Sequence, residues 1–246
     1  MPRERFYRYA PSNYQLNKKI KKLQQDPELK FKDYFYGANV TTAPDEHGIF
    51  VCNATSSGIG ATNRIGNEIR CTSLEIRGYV FINNLQTVVQ KSDLYRVPMI
   101  RMIVFWDKSP NGQMPDIIGN TLINEEDCLL DNTNSADPIF CPYSRSTATR
   151  FRILYDKTYR FPQPTVVVSG GYVNPNPVVN TVVPHVYIQK KIKLSRVTRY
   201  SGPDDSFEDI SENGLYIAMI STYDAASGDN YFITAELMTR INFFDD

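Results

Sequence analysis

Apolar residues recur at every second position over several stretches of this chain. In residues 74–82 the even positions Leu74, Ile76, Val80 and Ile82 are apolar, while Glu75 and Arg77 face the other way until Tyr79 and Phe81 make that side apolar too. Period-two alternation marks a strand with one face in a core. Residues 99–106 are almost continuously apolar, which predicts a strand buried on both sides, and the string Asp107-Lys108-Ser109-Pro110-Asn111-Gly112 behind it is turn chemistry. From Arg150, the positions Phe151, Ile153 and Tyr155 alternate with Arg152 and Leu154, and Asp156-Lys157 then predicts a turn into residues 158–161, a hairpin. Val186, Ile188, Ile192 and Leu194 share one face of a long strand whose other face carries Tyr187, Lys191 and Lys193, with Lys190 breaking the apolar row. Residues 48–53, 215–223 and 231–243 complete eight strands, the last with Ile233, Ala235, Leu237, Ile241 and Phe243 on one side and Thr234, Glu236, Arg240 and Asn242 on the other.

One stretch follows a different period. Asn13 can cap a helix whose apolar positions Leu16, Ile20 and Leu23 recur at i, i+4 and i+7, with Pro27 after its end and Lys18, Lys19, Lys21 and Lys22 on its other faces. Polar segments at 117–147, 169–184 and 202–213 read as long loops, and loops of that length between strands are usually functional surface. The pattern therefore predicts one β domain over residues 38–246, preceded by a basic arm over residues 1–37 that contains a helix.

Composition agrees with a mostly β body. Ile, Val and Thr number 21, 17 and 17 against 11 Ala and 13 Leu, a bias toward branched side chains that pack on pleated strands. With 41% hydrophobic and 12% aromatic residues the chain can bury a core, which excludes wholesale disorder. The longest apolar run, Ile103-Val104-Phe105-Trp106, is far short of the ~18 residues a spanning helix needs, so no membrane span is expected. The polar, basic start carries no apolar signal-peptide core.

The formal charge is zero over 246 residues, which argues against a free basic protein that coats nucleic acid by charge alone. That zero is a sum of unlike parts. Residues 1–32 hold nine basic residues against three acidic ones, leaving 18 basic against 24 acidic in the rest of the chain. In the arm Arg3, Arg5 and Arg8 alternate with Phe6, Tyr7 and Tyr9, setting guanidinium groups for phosphates beside rings that can stack on unpaired bases. If those arginines and Lys18, Lys19, Lys21 and Lys22 all met phosphates, affinity would fall by about 5 decades per decade of salt. Binding by one copy would be weak at physiological salt, and binding by many copies on one surface strong through effective concentration.

Catalytic chemistry is sparse. His47 and His185 are the only histidines, each at the margin of a predicted strand with no nucleophile motif nearby. Gly58-Ile59-Gly60-Ala61-Thr62-Asn63 imitates the start of a dinucleotide fingerprint but lacks the third glycine and sits between strands, so it is not read as a cofactor site. Asp204, Asp205, Glu208 and Asp209 match no calcium-loop spacing. Cys52, Cys71, Cys128 and Cys141 have neither CxxC spacing nor a neighbouring histidine, which predicts free, partly buried thiols rather than a zinc or redox site. The expectation is a non-enzyme with no cofactor and no metal.

Several motifs in order carry a resemblance. They are Gly58-Ile59-Gly60, Arg64-Ile65-Gly66-Asn67-Glu68-Ile69 and Leu74-Glu75-Ile76-Arg77-Gly78, then Arg101-Met102-Ile103-Val104-Phe105-Trp106-Asp107-Lys108 with Asn111-Gly112 and Pro115. Arg150-Phe151-Arg152-Ile153-Leu154-Tyr155-Asp156, Asn213-Gly214-Leu215-Tyr216 and Thr239-Arg240-Ile241-Asn242-Phe243-Phe244-Asp245 follow. With these motifs, residues 48–246 resemble the capsid proteins of small circular single-stranded DNA viruses that encode a replication initiator, the circovirus-like group. The resemblance implies an all-β, eight-stranded viral jelly-roll sandwich with long loops and a short basic N-terminal arm. It further implies self-assembly into a sixty-copy T=1 icosahedral shell around a circular single-stranded DNA genome. Its partners would be other copies of itself, that genome and a host-cell receptor whose identity these residues do not carry. The protein would reside in the virion, with assembly in the host nucleus. The arm departs from the family pattern, because such proteins commonly begin with a dense arginine run, whereas here three arginines in the first nine residues give way to lysines. Lys191 and Lys193 therefore join Arg3, Arg5, Arg8, Lys18, Lys19, Lys21 and Lys22 as candidate nucleic-acid contacts. Two rivals share the architecture: a lectin-like or trimeric jelly-roll ligand module, and a cupin-type metalloenzyme, which would need a histidine cluster that two distant histidines do not supply.

Overall fold

The structure, a computed structural model, describes residues 28–40, 48–83, 98–110, 112–118, 128–131, 137–161, 166–169, 178–181, 184–222 and 232–245. The expected helix after Asn13 and the arm residues before Glu28 lie outside them, as does His47. The described chain is all-β, and every strand pairing in it is antiparallel.

Strands β1 (Leu29–Val40), β2 (Ile49–Val51), β3 (Glu68–Asn83), β4 (Met99–Asp107) and β5 (Phe151–Arg160) come first. They are followed by β6 (Val166–Ser169), β7 (Val178–Thr181), β8 (His185–Lys193), β9 (Val197–Tyr200), β10 (Ile210–Glu212), β11 (Gly214–Ser221) and β12 (Phe232–Asp245). One sheet runs β1-β12-β3-β9-β10, with β8 pairing β3 beyond the stretch that β9 occupies. A second runs β2-β11-β4-β5, and β6 pairs only with β7.

Alternation along each strand builds a core between the two sheets. Leu74, Ile76, Val80, Ile192, Ile233, Leu237 and Ile241 from the first sheet meet Ile100, Met102, Val104, Trp106, Leu215, Ile217 and Met219 from the second. The outward residues of the second sheet are buried as well, because residues between β4 and β5 lie over them: Ile117, Leu129, Leu130, Ile139 and Cys141 pack on Ile103, Phe105, Phe151, Tyr216 and Ile220. That cover accounts for the continuous apolar run of β4, which is buried at all nine positions. Segment 117–147, expected to be loop surface, thus contributes a second apolar layer where it is described.

Two arginine–carboxylate forks hold this layer. Arg101, inside the apolar run, donates from Nε and Nη2 to Asp156 at 3.0 and 2.8 Å and from Nη1 to the Cys141 carbonyl at 2.7 Å, and the Tyr143 hydroxyl donates to the same carboxylate. Arg150 donates from Nε and Nη2 to the fully buried Asp107 at 2.9 and 2.7 Å. Bidentate forks of this kind fix orientation as well as charge.

The expected hairpin at Asp156-Lys157 does not form. Residues 151–160 are one strand because β4 supplies partners from Asp107 opposite Phe151 to Met99 opposite Arg160, and one bulge after Val104 absorbs Leu154. Asp156 spends its carboxylate on Arg101, and the dipeptide lacks the glycine or asparagine that a tight hairpin favours.

Most of β1 lies within the stretch read as arm, and its last three residues lie beyond it. Residues 29–37 pair along β12, and Lys30 turns inward, where its Nζ meets the Asp245 carboxylate at 2.5 Å and the Asn63 carbonyl at 3.0 Å. The segment 202–213, expected to be an acidic loop, contains a 3-10 turn (Phe207–Asp209) and β10. At Gly78 the strands come too close for any side chain, since a Cβ there would stand 2.0 Å from the Glu236 carbonyl oxygen of β12.

Candidate functional site

The seven candidate residues of the arm, Arg3, Arg5, Arg8, Lys18, Lys19, Lys21 and Lys22, lie outside the described residues. The other two, Lys191 and Lys193, stand on the outer face of β8, where strand alternation puts them beside Tyr187 and His185. Register extends that face across four strands. Phe31, Asn242, Ser73 and Lys193 form one row, and the next reads Asp33, Arg240, Glu75, Lys191. Then come Phe35, Met238, Arg77 and Gln189, followed by Gly37, Glu236, Tyr79 and Tyr187.

The charged row is an alternating ladder. Arg240 forks onto Asp33 with both bonds at 2.6 Å, and Lys191 meets Glu75 at 2.6 Å. The Arg240 hydrogen bond holds the Asp33 carboxyl below the usual aspartate range, and the Lys191 hydrogen bond does the same for Glu75, with Arg77 and Arg240 adding to it. Arg240 also lies over the Phe31 ring at 4.5 Å, and Tyr79 packs on Tyr187 with ring centres 5.1 Å apart. Lys191 is thus neutralised within its own sheet, whereas Lys193 makes no ion pair among the described residues. The two lysines are on one face but unlike as phosphate ligands.

Sequence reading placed Glu75 and Arg240 outward but did not join them, since cross-strand register is not written in one chain. A second residue, named in the sequence only as part of a motif and given no role, is Arg64, 1% exposed. Its guanidinium donates to the carbonyls of Thr55, Gly66 and Gly202 and lies 4.1 Å over the Tyr200 ring. That arginine pins the segment containing Gly58 and Gly60, and Gly58 N–H donates to the Arg64 carbonyl at 2.8 Å before the chain enters β3. The glycines close a loop between strands, the context that argues against a dinucleotide site. Ile59 at the tip is 97% exposed, so the loop presents an apolar side chain on a fixed base.

Near this loop a buried polar network joins the two sheets. The Asn53 amide donates to Thr198 at 2.8 Å and to the Asn213 carbonyl at 3.0 Å, and accepts from the Leu215 N–H at 2.8 Å. Asn213 takes φ +55, a backbone state that asparagine tolerates, and donates to the Val197 carbonyl. Buried as it is, Asn53 cannot carry a glycan despite its Asn-Ala-Thr triplet.

All four cysteines are free and buried. Desolvation pushes the Cys71 thiol up to about 12 and raises those of Cys52 and Cys141, so these three stay protonated and unreactive near neutral pH. No group of three or more His, Cys, Asp and Glu side chains able to hold a metal occurs among the described residues. No helix among them is long and apolar enough to cross a membrane. No protein-family model matches the chain, and no curated protein matches it.

Proposed function

We propose that this chain is a structural capsid protein whose copies close into a sixty-copy icosahedral shell around a circular single-stranded DNA genome. The strand order is the observation that carries the reading. Apart from the β6–β7 pair and the short β9 and β10, eight strands divide into β1-β12-β3-β8 and β2-β11-β4-β5, with the chain passing back and forth between the sheets. We read two antiparallel four-strand sets of this kind as a jelly roll, the architecture of many shell proteins and of lectins and cupins. Among these the capsid reading is favoured by the ordered motifs from Gly58 to Asp245 and by the charge split between a basic start and an acidic body.

In this reading the long loops and exposed apolar side chains, such as Ile59, Ile65 and Phe140, are buried between subunits. Obligate interfaces bury roughly 2,000–5,000 Å² and are more apolar than transient ones. The basic residues of the first 27 positions face inward to the genome, leaving the acidic body at the surface. The protein then belongs to the virion and passes through the host nucleus during assembly.

Size-exclusion chromatography of the full chain, with negative-stain microscopy and 260/280 nm absorbance on the same fractions, tests the proposal. Uniform particles carrying nucleic acid are expected. Only monomers or trimers across pH and salt would overturn it in favour of a ligand-binding module. Uniform empty shells would keep the shell and remove the packaging role of the arm.

A further inference from the structure

The outer face of the sheet containing β1, β12, β3 and β8 is uncovered among the described residues, and it mixes rings with charges of both signs. We infer that this face docks a second copy of the same chain, face to face, about a two-fold axis that lies between the two facing sheets and runs along the strands. The inference rests on the proposed function only in that copies associate, and it names where.

Sheets pack face to face with strands within about 30° of each other, and a two-fold contact must fit a surface to itself. Rotation about this axis keeps each cross-strand row level and reverses the strands within it, so β1 lies over β8 of the second copy and β12 over its β3. The ladder Asp33, Arg240, Glu75, Lys191 is self-complementary under that reversal. Asp33 meets Lys191 of the second copy, Arg240 meets Glu75, and both contacts occur twice. Two rows along, Gly37, with no side chain, lies over the half-exposed Tyr187 ring. At the other side of the ladder Phe31 lies over Lys193, which has no ion pair among the described residues. A polyanion finds little on the face, because the ladder sums to zero charge and the neighbouring rows add only Arg77 and Lys193 against Glu236, a net of +1.

Charge exchange separates this contact from the ion pairs inside one chain. In the full-length protein, Asp33→Lys sets a lysine over Lys191 of the second copy, and Lys191→Asp sets an aspartate over Asp33. Each single change is expected to weaken self-association on the order of 100-fold at low salt, read by sedimentation velocity over a concentration series. Both changes together restore opposite charges between copies while leaving like neighbours within the chain, the introduced lysine beside Arg240 and the introduced aspartate beside Glu75. The double variant should therefore recover to within about tenfold of wild type. A double variant weaker than either single, or singles without effect, overturns the inference.

A second measurement stands if those variants fold poorly. Facing sheets lie about 10 Å apart, so Phe35→Cys protein mixed with Gln189→Cys protein should give a covalent dimer with a short bis-maleimide cross-linker that neither gives alone. Within one chain the two positions are three strand spacings apart, about 14 Å, farther than the gap between facing sheets. Equal cross-linking in all three samples, or none in the mixture, overturns the inference. Wild-type chain that never associates sinks the shell as well, whereas wild-type particles indifferent to these substitutions keep the shell and remove this face. Loss of oligo-dT binding in Lys191→Asp with self-association unchanged would assign the face to nucleic acid instead and overturn the inference.

Discussion

Arg150→Ala is the substitution whose cost can be worked most directly from the structure. Asp107 closes β4 with its carboxylate fully buried, and its partners are the two Arg150 bonds and the Ser109 N–H at 3.1 Å. Removing the guanidinium leaves a buried anion with one backbone donor. Breaking such a pair costs about 3–5 kcal/mol, because the surviving charge keeps its desolvation penalty. Arg150 itself is partly exposed, so water can enter the space it leaves, and the low end of that range, about 3 kcal/mol, is expected. For a domain of this size that lowers Tm by roughly 6–12 °C. Asp107→Asn together with Arg150→Ala removes the stranded charge and should cost less than Arg150→Ala alone. The single tryptophan, Trp106, is buried beside Asp107 and reports urea unfolding of each variant. The measurements belong at a concentration where the chain is monomeric, since any self-association would add apparent stability by mass action. An Arg150→Ala protein within about 0.5 kcal/mol of wild type, or a double variant costing the sum of the two singles, would refute the reasoning.

Gly78→Ala should destabilise by roughly 3 kcal/mol or more, because the new Cβ meets backbone that cannot rotate away. The atoms it meets are the Glu236 carbonyl oxygen at 2.0 Å and the Leu237 Cα at 2.8 Å. Urea unfolding and faster amide exchange along β12 check it, and wild-type behaviour would count against the observed approach of β3 and β12. For Asp33, whose carboxyl is held below 3.8 by Arg240, the pair stabilises the fold above the ordinary aspartate pKa. That contribution is lost as pH falls through the lowered value. In Arg240→Gln the Asp33 midpoint, followed by carboxyl NMR, should rise toward 3.8 and the acid limb of the stability profile should lose this component. An unmoved midpoint would show that another group sets it.

What the sequence made legible was alternation, and it failed where alternation was masked by charge. β3, β4, β8, β11 and β12 were all anticipated, because their inward positions are Ile, Leu, Val, Met and Ala. β1 was not, because its inward side begins Lys30, Lys32, Tyr34 and Tyr36 and so reads as basic arm. Lys30 is buried only because Asp245, 215 positions away, supplies a counter-charge. The turn expected at Asp156 failed for a related reason, since its tertiary partner Arg101 lies in another strand. Double burial of β4 was evident from its run of apolar residues, but the covering segment was not, as Ile117, Leu129 and Ile139 are scattered through polar sequence. For the candidate site, outward Lys191 and Lys193 were legible, and the Glu75 that neutralises one of them was not.

β12 follows every other described strand in the chain, yet it lies between the first and the third, pairing with β1 on one side and β3 on the other. On a ribosome β1 and β3 emerge with no bond to each other and wait for some 150 residues to follow before the strand that bridges them appears. Until then two long edges stay open, the condition under which β-rich chains aggregate or recruit a wrong partner. Closing them joins distant parts of the chain in one step, which makes folding slow and all-or-none rather than progressive. A ribosome-associated or post-translational chaperone that shields open edges would therefore have most to do for this protein just before β12 is made.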